Sequence, residues 1–172
     1  MNKKIIISNL KCIDKNINLD NYINFSEKIK KSMEYPNWLG NFEKEDLENM
    51  LKDGTKIWMY YLGEEPICSM MLIPATEKSL NKFEIDVNHD EVVEYGPMIV
   101  NPNYLGNKLQ YQMLQKLDNY SYNEGYKYAV STIHPDNIFS INNFLEDNFE
   151  FISRKEFKRG IRNIYIKNLN RR

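Results

Sequence analysis

Hydrophobic positions along this chain switch between two periods, and each switch marks an element boundary. The β-branched run at residues 4–8 predicts a first strand. From Asp20, read as an N-cap, Tyr22, Phe25, Ile29 and Met33 recur at helical spacing. That helix is expected to run to Ser32 and to break at Glu34-Tyr35-Pro36-Asn37. A second helix spans residues 44–51 and ends at Asp53-Gly54. Strand-like runs at 55–62 and 66–73 then flank Gly63-Glu64-Glu65 as a hairpin. Residues 74–90 are polar and almost without period, and are expected to form a long loop, a solvated insertion or a cover over a substrate site.

The chain is organised around residues 94–119. Met98-Ile99-Val100 reads as a strand that Asn101-Pro102-Asn103 stops, because proline has no N–H for a ladder. Tyr104-Leu105-Gly106-Asn107 makes a tight corner in which Gly106 is free to take positive φ. Beyond it Leu109, Met113, Leu117 and Tyr120, with Leu114 beside them, form one helical face. Strand, short loop and helix N-terminus together aim several backbone N–H groups one way, with the positive end of the helix dipole behind them, an arrangement suited to a pyrophosphate. A strand at 126–133 follows, then a helix from Ile138 to about Asp147 with Ile138, Ile141 and Leu145 in register and Phe144 beside them. Asn148 is placed at its left-handed C′ position. Strands at 149–157 and 161–166 close the chain around Lys158-Arg159-Gly160.

Composition narrows the function. A chain of 172 residues that is 42% hydrophobic, without repeats or low-complexity linkers, is expected to form one domain over 1–172. Its formal net charge of −1 gives no electrostatic ground for nucleic acid. No run approaches the ~20 apolar residues of a membrane span, and the apolar run near the start is too short for a signal peptide. Cys12 and Cys68 lack ligand spacing and read as reduced thiols, so a cytoplasmic location is expected. His89 and His134 stand apart from other ligand types, so no metal is expected. GxSxG and GxxxxGK[ST] are both absent. The abundance of Asn, Lys and Ile suggests an AT-rich bacterial genome.

The wording of the central stretch is more specific than its geometry. Val100-x-Pro102-x-Tyr104-x-Gly106-Asn107-x-Leu109-Gln110 resembles the acyl-CoA loop of the GNAT N-acyltransferases, V-x-P-x-Y-R-G-x-G-x-G/A. Leu105 stands at the Arg position, Lys108 at the middle glycine and Gln110 at the last small residue. Downstream, HPDNIFSINNFLEDNFEF is similar to the family's N-x-x-A/S-x-x-x-Y-x-x-x-G-F, with Asn137, Ser140 and Phe149 matching, Phe144 at the Tyr position and Asn148 at the Gly. The element order β-α-α-β-β-β-α-β-α-β-β is that of the GNAT fold, an α/β (α+β) architecture with a mixed, mostly antiparallel sheet and helices on both faces.

The resemblance implies an acyltransferase that moves the acetyl group of acetyl-CoA to a primary amine in a ternary complex. Pantetheine would pair with the strand at Met98, Ile99 and Val100. The loop formed by Leu105, Gly106, Asn107, Lys108, Leu109 and Gln110 would cradle the pyrophosphate. Asn137 would bond the pantetheine arm, with Ser140 and Phe144 on the same cofactor-binding segment. Glu94 is the first candidate for the base and Glu91 the second. With Phe at 144, the acid falls to Tyr111, Tyr104 or water. The acidic residues Glu84, Asp86, Asp90, Glu91 and Glu94 hint at a cationic acceptor. The alternative is a GNAT-like domain that binds acyl-CoA without turnover; either would be a monomer or homodimer.

Overall fold

The first strand forms later than the apolar run at 4–8 predicts, and two side-chain amides are the reason. In the computed structural model, which describes residues 4–170, Ile5 N–H donates to Asn107 Oδ1 at 2.9 Å and Ile7 N–H to Gln112 Oε1 at 2.8 Å. Gln112 Nε2 donates in turn to the Ile5 carbonyl at 3.1 Å. These bonds take the place of a ladder, satisfying backbone groups that would otherwise need a partner strand. Residues Ile7–Asn9 turn as a short 3-10 segment, and strand β1 is Lys11–Ile13.

Contacts cluster into two units, Met1–Met71 with Pro97–Met113, and Leu72–Gly96 with Leu114–Arg172. In the first, helix α1 (Leu19–Ser32) starts two residues earlier than expected: Asn18, not Asp20, is the cap and accepts from Asn21 N–H. Tyr22, Phe25 and Ile29 are buried as the periodicity predicts. Helix α2 (Lys44–Lys52) buries Leu47 completely. Strands β2 (Lys56–Leu62) and β3 (Glu65–Pro74) are joined by a turn whose Gly63 has φ +62°.

The polar stretch after β3 is not a structureless loop. Helix α3 (Glu77–Phe83) occupies it, closed by a capping box in which Thr76 accepts from Ser79 N–H and Ser79 Oγ accepts from Thr76 N–H. Leu80 and Phe83, one turn apart, are buried against Ala75, Val92, Val130 and Ile164. Burial of each contributes about 1.5–3 kcal/mol, enough to hold a two-turn helix that propensity alone would not.

The central strand is broken in two: β4 (Val92–Tyr95) and β5 (Ile99–Val100), separated by Gly96-Pro97-Met98. Helix α4 (Leu109–Asn123) buries Leu109, Met113, Leu114 and Leu117. Strand β6 (Tyr128–Ile133), helix α5 (Ile138–Glu146) and strands β7 (Glu150–Phe157) and β8 (Gly160–Asn168) complete the chain. In α5 the expected Ile138/Ile141/Leu145 stripe is not the buried one. Ile138 and Leu145 are 61% and 48% exposed, whereas Phe144 is buried against Phe149 with ring centroids 4.8 Å apart.

The ladder runs β1-β2-β3-β4-β6-β8-β7, with β5 on β3. β1 lies antiparallel to β2, β3 to β4 and to β5, β6 to β8 and β7 to β8, while β4 is parallel to β6. This is the mixed, mostly antiparallel sheet that the resemblance implies. Among the described residues neither cysteine forms a disulfide, and no helix is long and apolar enough to cross a membrane.

Candidate active site

In the first unit the residues of interest lie on β5 and the turn after it. β5 is laddered on one side only, Ile99 opposite Ser69 and Val100 opposite Cys68, which leaves its other edge outside the sheet. Met98 and Val100 are half-buried and Ile99 is buried. Asn101, fully engaged, receives its place from Ile67, whose carbonyl accepts its N–H at 2.8 Å, and donates through Nδ2 to Glu65. Tyr104 also donates to Glu65, at 2.5 Å, so its hydroxyl is committed to that carboxylate.

The corner itself has two left-handed residues. Gly106 has φ +84° and open space where a Cβ would be. Lys108 has φ +53°, a conformation costing a non-glycine residue about 1 kcal/mol. Lys108 thus keeps, at the position of the family's middle glycine, the backbone shape that a glycine would allow. Its ammonium stands 5.7 Å from the centroid of the half-buried Tyr111 ring. Asn107 braces the turn: Nδ2 donates to the Tyr104 carbonyl at 3.0 Å, and its own carbonyl accepts from Gln112 Nε2 at 2.8 Å. The first intrahelical bond of α4 runs from Gln112 N–H to the Lys108 carbonyl, so the N–H groups of Leu109, Gln110 and Tyr111 precede the helical ladder. Gln112, which braces both this turn and the N-terminal segment, was not singled out by the sequence pattern; an amide three residues into a helix gives no signal by itself.

In the second unit Glu94 lies on β4, opposite Ile73 of β3 and Val130 of β6. Its half-buried side chain lines a cavity of about 230 Å³ together with Ser79, Lys82, Thr132, Phe157, Lys158 and Arg159. Burial raises the Glu94 carboxyl above the usual carboxylate range; the Ser79 hydroxyl and the Lys82 ammonium oppose that rise without cancelling it. Three of the other acidic residues of this stretch have neighbours of their own. Glu91 pairs with Lys127 at 2.5 Å, Glu84 with Lys155 at 2.5 Å, and Asp90 lies 3.3 Å from His89 Nδ1. Ser79, Lys82, Thr132, Lys158 and Arg159 come from three separate segments, which no spacing rule brings together.

On α5, Asn137 is the N-cap and accepts from Ser140 N–H at 3.2 Å, which fixes the start of the helix. Phe144 is 3% exposed in a row of rings with Phe149 and Tyr95. Tyr95 donates to Asp118 at 2.7 Å, and Lys167 bridges Asp118 and the buried Asp147. Lys167 Nζ lies 3.0 Å from Asp147 Oδ2, yet that oxygen accepts no well-angled hydrogen bond. Among the described residues no cluster of His, Cys, Asp and Glu could hold a metal ion.

No protein-family model and no curated protein sequence matches this chain. Solved structures do. An N-acetyltransferase from Staphylococcus aureus superimposes with a TM-score of 0.68 at 13% identity, over 92% of this chain and 99% of that one. An acetyltransferase from Bacillus subtilis, in complex with CoA, gives 0.65 at 10% identity over 92% and 98%. The aminoglycoside acetyltransferase AAC(6')-Ib, with coenzyme A and kanamycin, gives 0.67 at 13% over 92% and 95%. The chain has the fold of the GNAT N-acetyltransferases.

Proposed function

We propose that this protein is an acetyl-CoA-dependent N-acetyltransferase acting on a primary amine. The observation that carries the reading is Glu94: a half-buried carboxylate of raised basicity in a cavity, on the strand whose continuation, β5, has an unladdered edge. Structures of the same fold hold CoA alone or CoA with an aminoglycoside amine, which supports acetyl-CoA as the donor.

The chemistry assigns each group a task. A primary amine with a pKa near ~10 is protonated at neutral pH and must lose a proton before it can attack. Glu94 takes that proton; its raised pKa makes it a better base than an ordinary carboxylate. The nitrogen lone pair then forms the C–N bond at the thioester carbonyl, the C–S bond breaks with its electrons leaving on sulfur, and the excess proton on nitrogen passes to the departing thiolate. A backbone N–H on the open edge of β5, beside Ile99, is the candidate donor to the oxyanion. The edge of β5 offers backbone groups to pantetheine, for whose arm Asn137 is a candidate partner, and the turn at 105–110 is the candidate cradle for the pyrophosphate, although the Leu105 N–H is already taken by the Pro102 carbonyl. Thiolate needs no strong acid to depart, because thiol pKa values lie near ~8.5. This suits a chain with Phe at 144 and with Tyr104 already bonded to Glu65. Tyr111 remains the candidate acid.

Two measurements test the reading. Acetyl-CoA should raise the melting temperature, since a ligand that binds only the native state stabilises it by mass action. Thiol release with an amine acceptor should fall about 10²–10⁴-fold in kcat in Glu94→Gln, with the acetyl-CoA-induced shift retained. A melt indifferent to saturating acetyl-CoA would sink the proposal, and a shift without thiol release from any amine would leave only an acyl-CoA-binding domain.

A further inference from the structure

The cavity around Glu94 has a charge that its carboxylate does not explain. Lys82, Lys158 and Arg159 all border it. Lys82 acts on the Glu94 carboxylate, but among the described residues none of the three forms a salt bridge, whereas Lys127, Lys155 and Lys167 of the same unit are each paired with a carboxylate. A fourth cation lies close by: the buried Arg162 guanidinium is shifted down in pKa by burial and then by the charge of Arg159. Lys82 is held in place by the Phe157 ring, 5.4 Å from its ammonium, and Phe157 is itself packed edge-on against Phe83. Three cations against one carboxylate leave the cavity net positive, and a polycation entering it would meet like charge.

The cavity is also small. About 230 Å³ lies below the range of typical drug-sized pockets, which begins near ~300 Å³. A compact acceptor fits it better than an extended chain.

We propose that the acceptor is a small primary amine that carries an anionic group, which Lys82, Lys158 and Arg159 hold while the amine faces Glu94. This rests on the reading of Glu94 as the base. The paired charges orient the acceptor in opposite senses, amine towards carboxylate and anion towards cations, so that one end cannot bind in place of the other. Turnover consumes only the amine: one ammonium proton passes to Glu94, the C–N bond forms as the thioester C–S bond breaks, the second nitrogen proton goes to the departing thiolate to give the CoA thiol, and the anionic group stays unchanged on the product. The aminoglycoside acceptor of the structurally similar AAC(6')-Ib is a polycation, so the two proteins would differ in acceptor charge.

The experiment is a thiol-release assay with acetyl-CoA on matched acceptors: amino acids against their amides, O-phosphoethanolamine against ethanolamine, and spermidine and kanamycin as polycations. The carboxylate or phosphate member should exceed its neutral partner by about tenfold in kcat/KM, and which anion is preferred separates the two sources. Lys158→Ala/Arg159→Ala should raise KM for the anionic acceptor and bring the ratio of acid to amide close to one. Lys82→Gln should act in the same direction. Preference for spermidine or kanamycin, or an unchanged ratio in the double variant, overturns the proposal. Binding of the N-acetylated acids and their amides, measured calorimetrically, gives a readout that needs no turnover. Equal affinity for acid and amide defeats the anionic acceptor whatever the assay shows. Absence of any acetyl-CoA shift defeats instead the transferase reading beneath it.

Discussion

Glu94 pays for its basicity in stability, and the sign can be worked out. Its carboxyl has a higher pKa in the folded protein than in the unfolded chain, so the native state binds its proton more tightly. The stability this lends is fully present below the ordinary carboxylate value, ~4.3, and is lost as pH rises through the folded pKa. Glu94→Gln should therefore melt higher than the wild type at pH 8 and gain little at pH 4, even while its kcat falls. Thermal melts across that range check it; a lower melting temperature at pH 8 would show that the carboxylate is better paired than its burial indicates. Phe144 presents the opposite case. Its ring lies 4.8 Å from Phe149 and is 3% exposed, so Phe144→Tyr must find a partner for a buried hydroxyl. Without one, the substitution should destabilise by about 1–3 kcal/mol, read from the denaturant midpoint. An unchanged midpoint would show that the para position opens onto solvent or a polar group, and would restore residue 144 as a site for an engineered acid.

At the level of elements, the turn between β5 and α4 stores a small strain. Lys108 holds φ +53° without being glycine, and Gly106 beside it holds +84°. Lys108→Gly should remove roughly 1 kcal/mol of left-handed strain, partly offset by the greater freedom of glycine in the unfolded chain. The melting temperature should then be equal or higher. If the turn cradles a pyrophosphate through its backbone, the acetyl-CoA-induced shift should grow, because no side chain then crowds the approach. A smaller shift would instead assign the Lys108 ammonium to the phosphate. Helix α3 carries a lesson of the same scale. Its seven residues are too few for a period to stand out, and its stability comes from the buried neighbours Val92, Val130 and Ile164.

For the whole molecule, the pH dependence should be set by Asp147 as well as Glu94. Burial, and then the neighbouring Asp118, push the Asp147 carboxyl up to about 7 despite Lys167. This is again a raised folded pKa, so the contribution is present below ~3.9 and lost as pH climbs towards 7. Wild-type stability should decline between pH 5 and 8, and Asp147→Asn should flatten that decline, since Asp118 still pairs with Lys167 and an amide oxygen can still accept from Gln115. Chemical denaturation at several pH values decides this. A steep loss of stability in Asp147→Asn at pH 8 would mean that the ionised form is the one the network is built around.

The sequence by itself determined the order of elements apart from α3 and the break between β4 and β5, the hairpin at Gly63, the face of α4 and the left-handed turns at Gly106 and Asn148, the last two with φ +84° and +64°. Each depends on residues close along the chain, where period, proline and positive φ act locally. Tertiary structure decided the rest. Residues 4–8 are β-branched but not a strand, because Asn107 and Gln112, about a hundred positions later, occupy their backbone groups. Ile138 and Leu145 of the α5 stripe point outward because Phe149 gives Phe144 the better burial. Glu94 could be nominated from its place on a strand, but the cavity and the cations around it were not legible, since residues 79–82, 132 and 157–159 meet only through sheet pairing and the packing of α3. Charge in a site is a property of what converges there, and convergence is fixed by contacts that the chain makes over long distances.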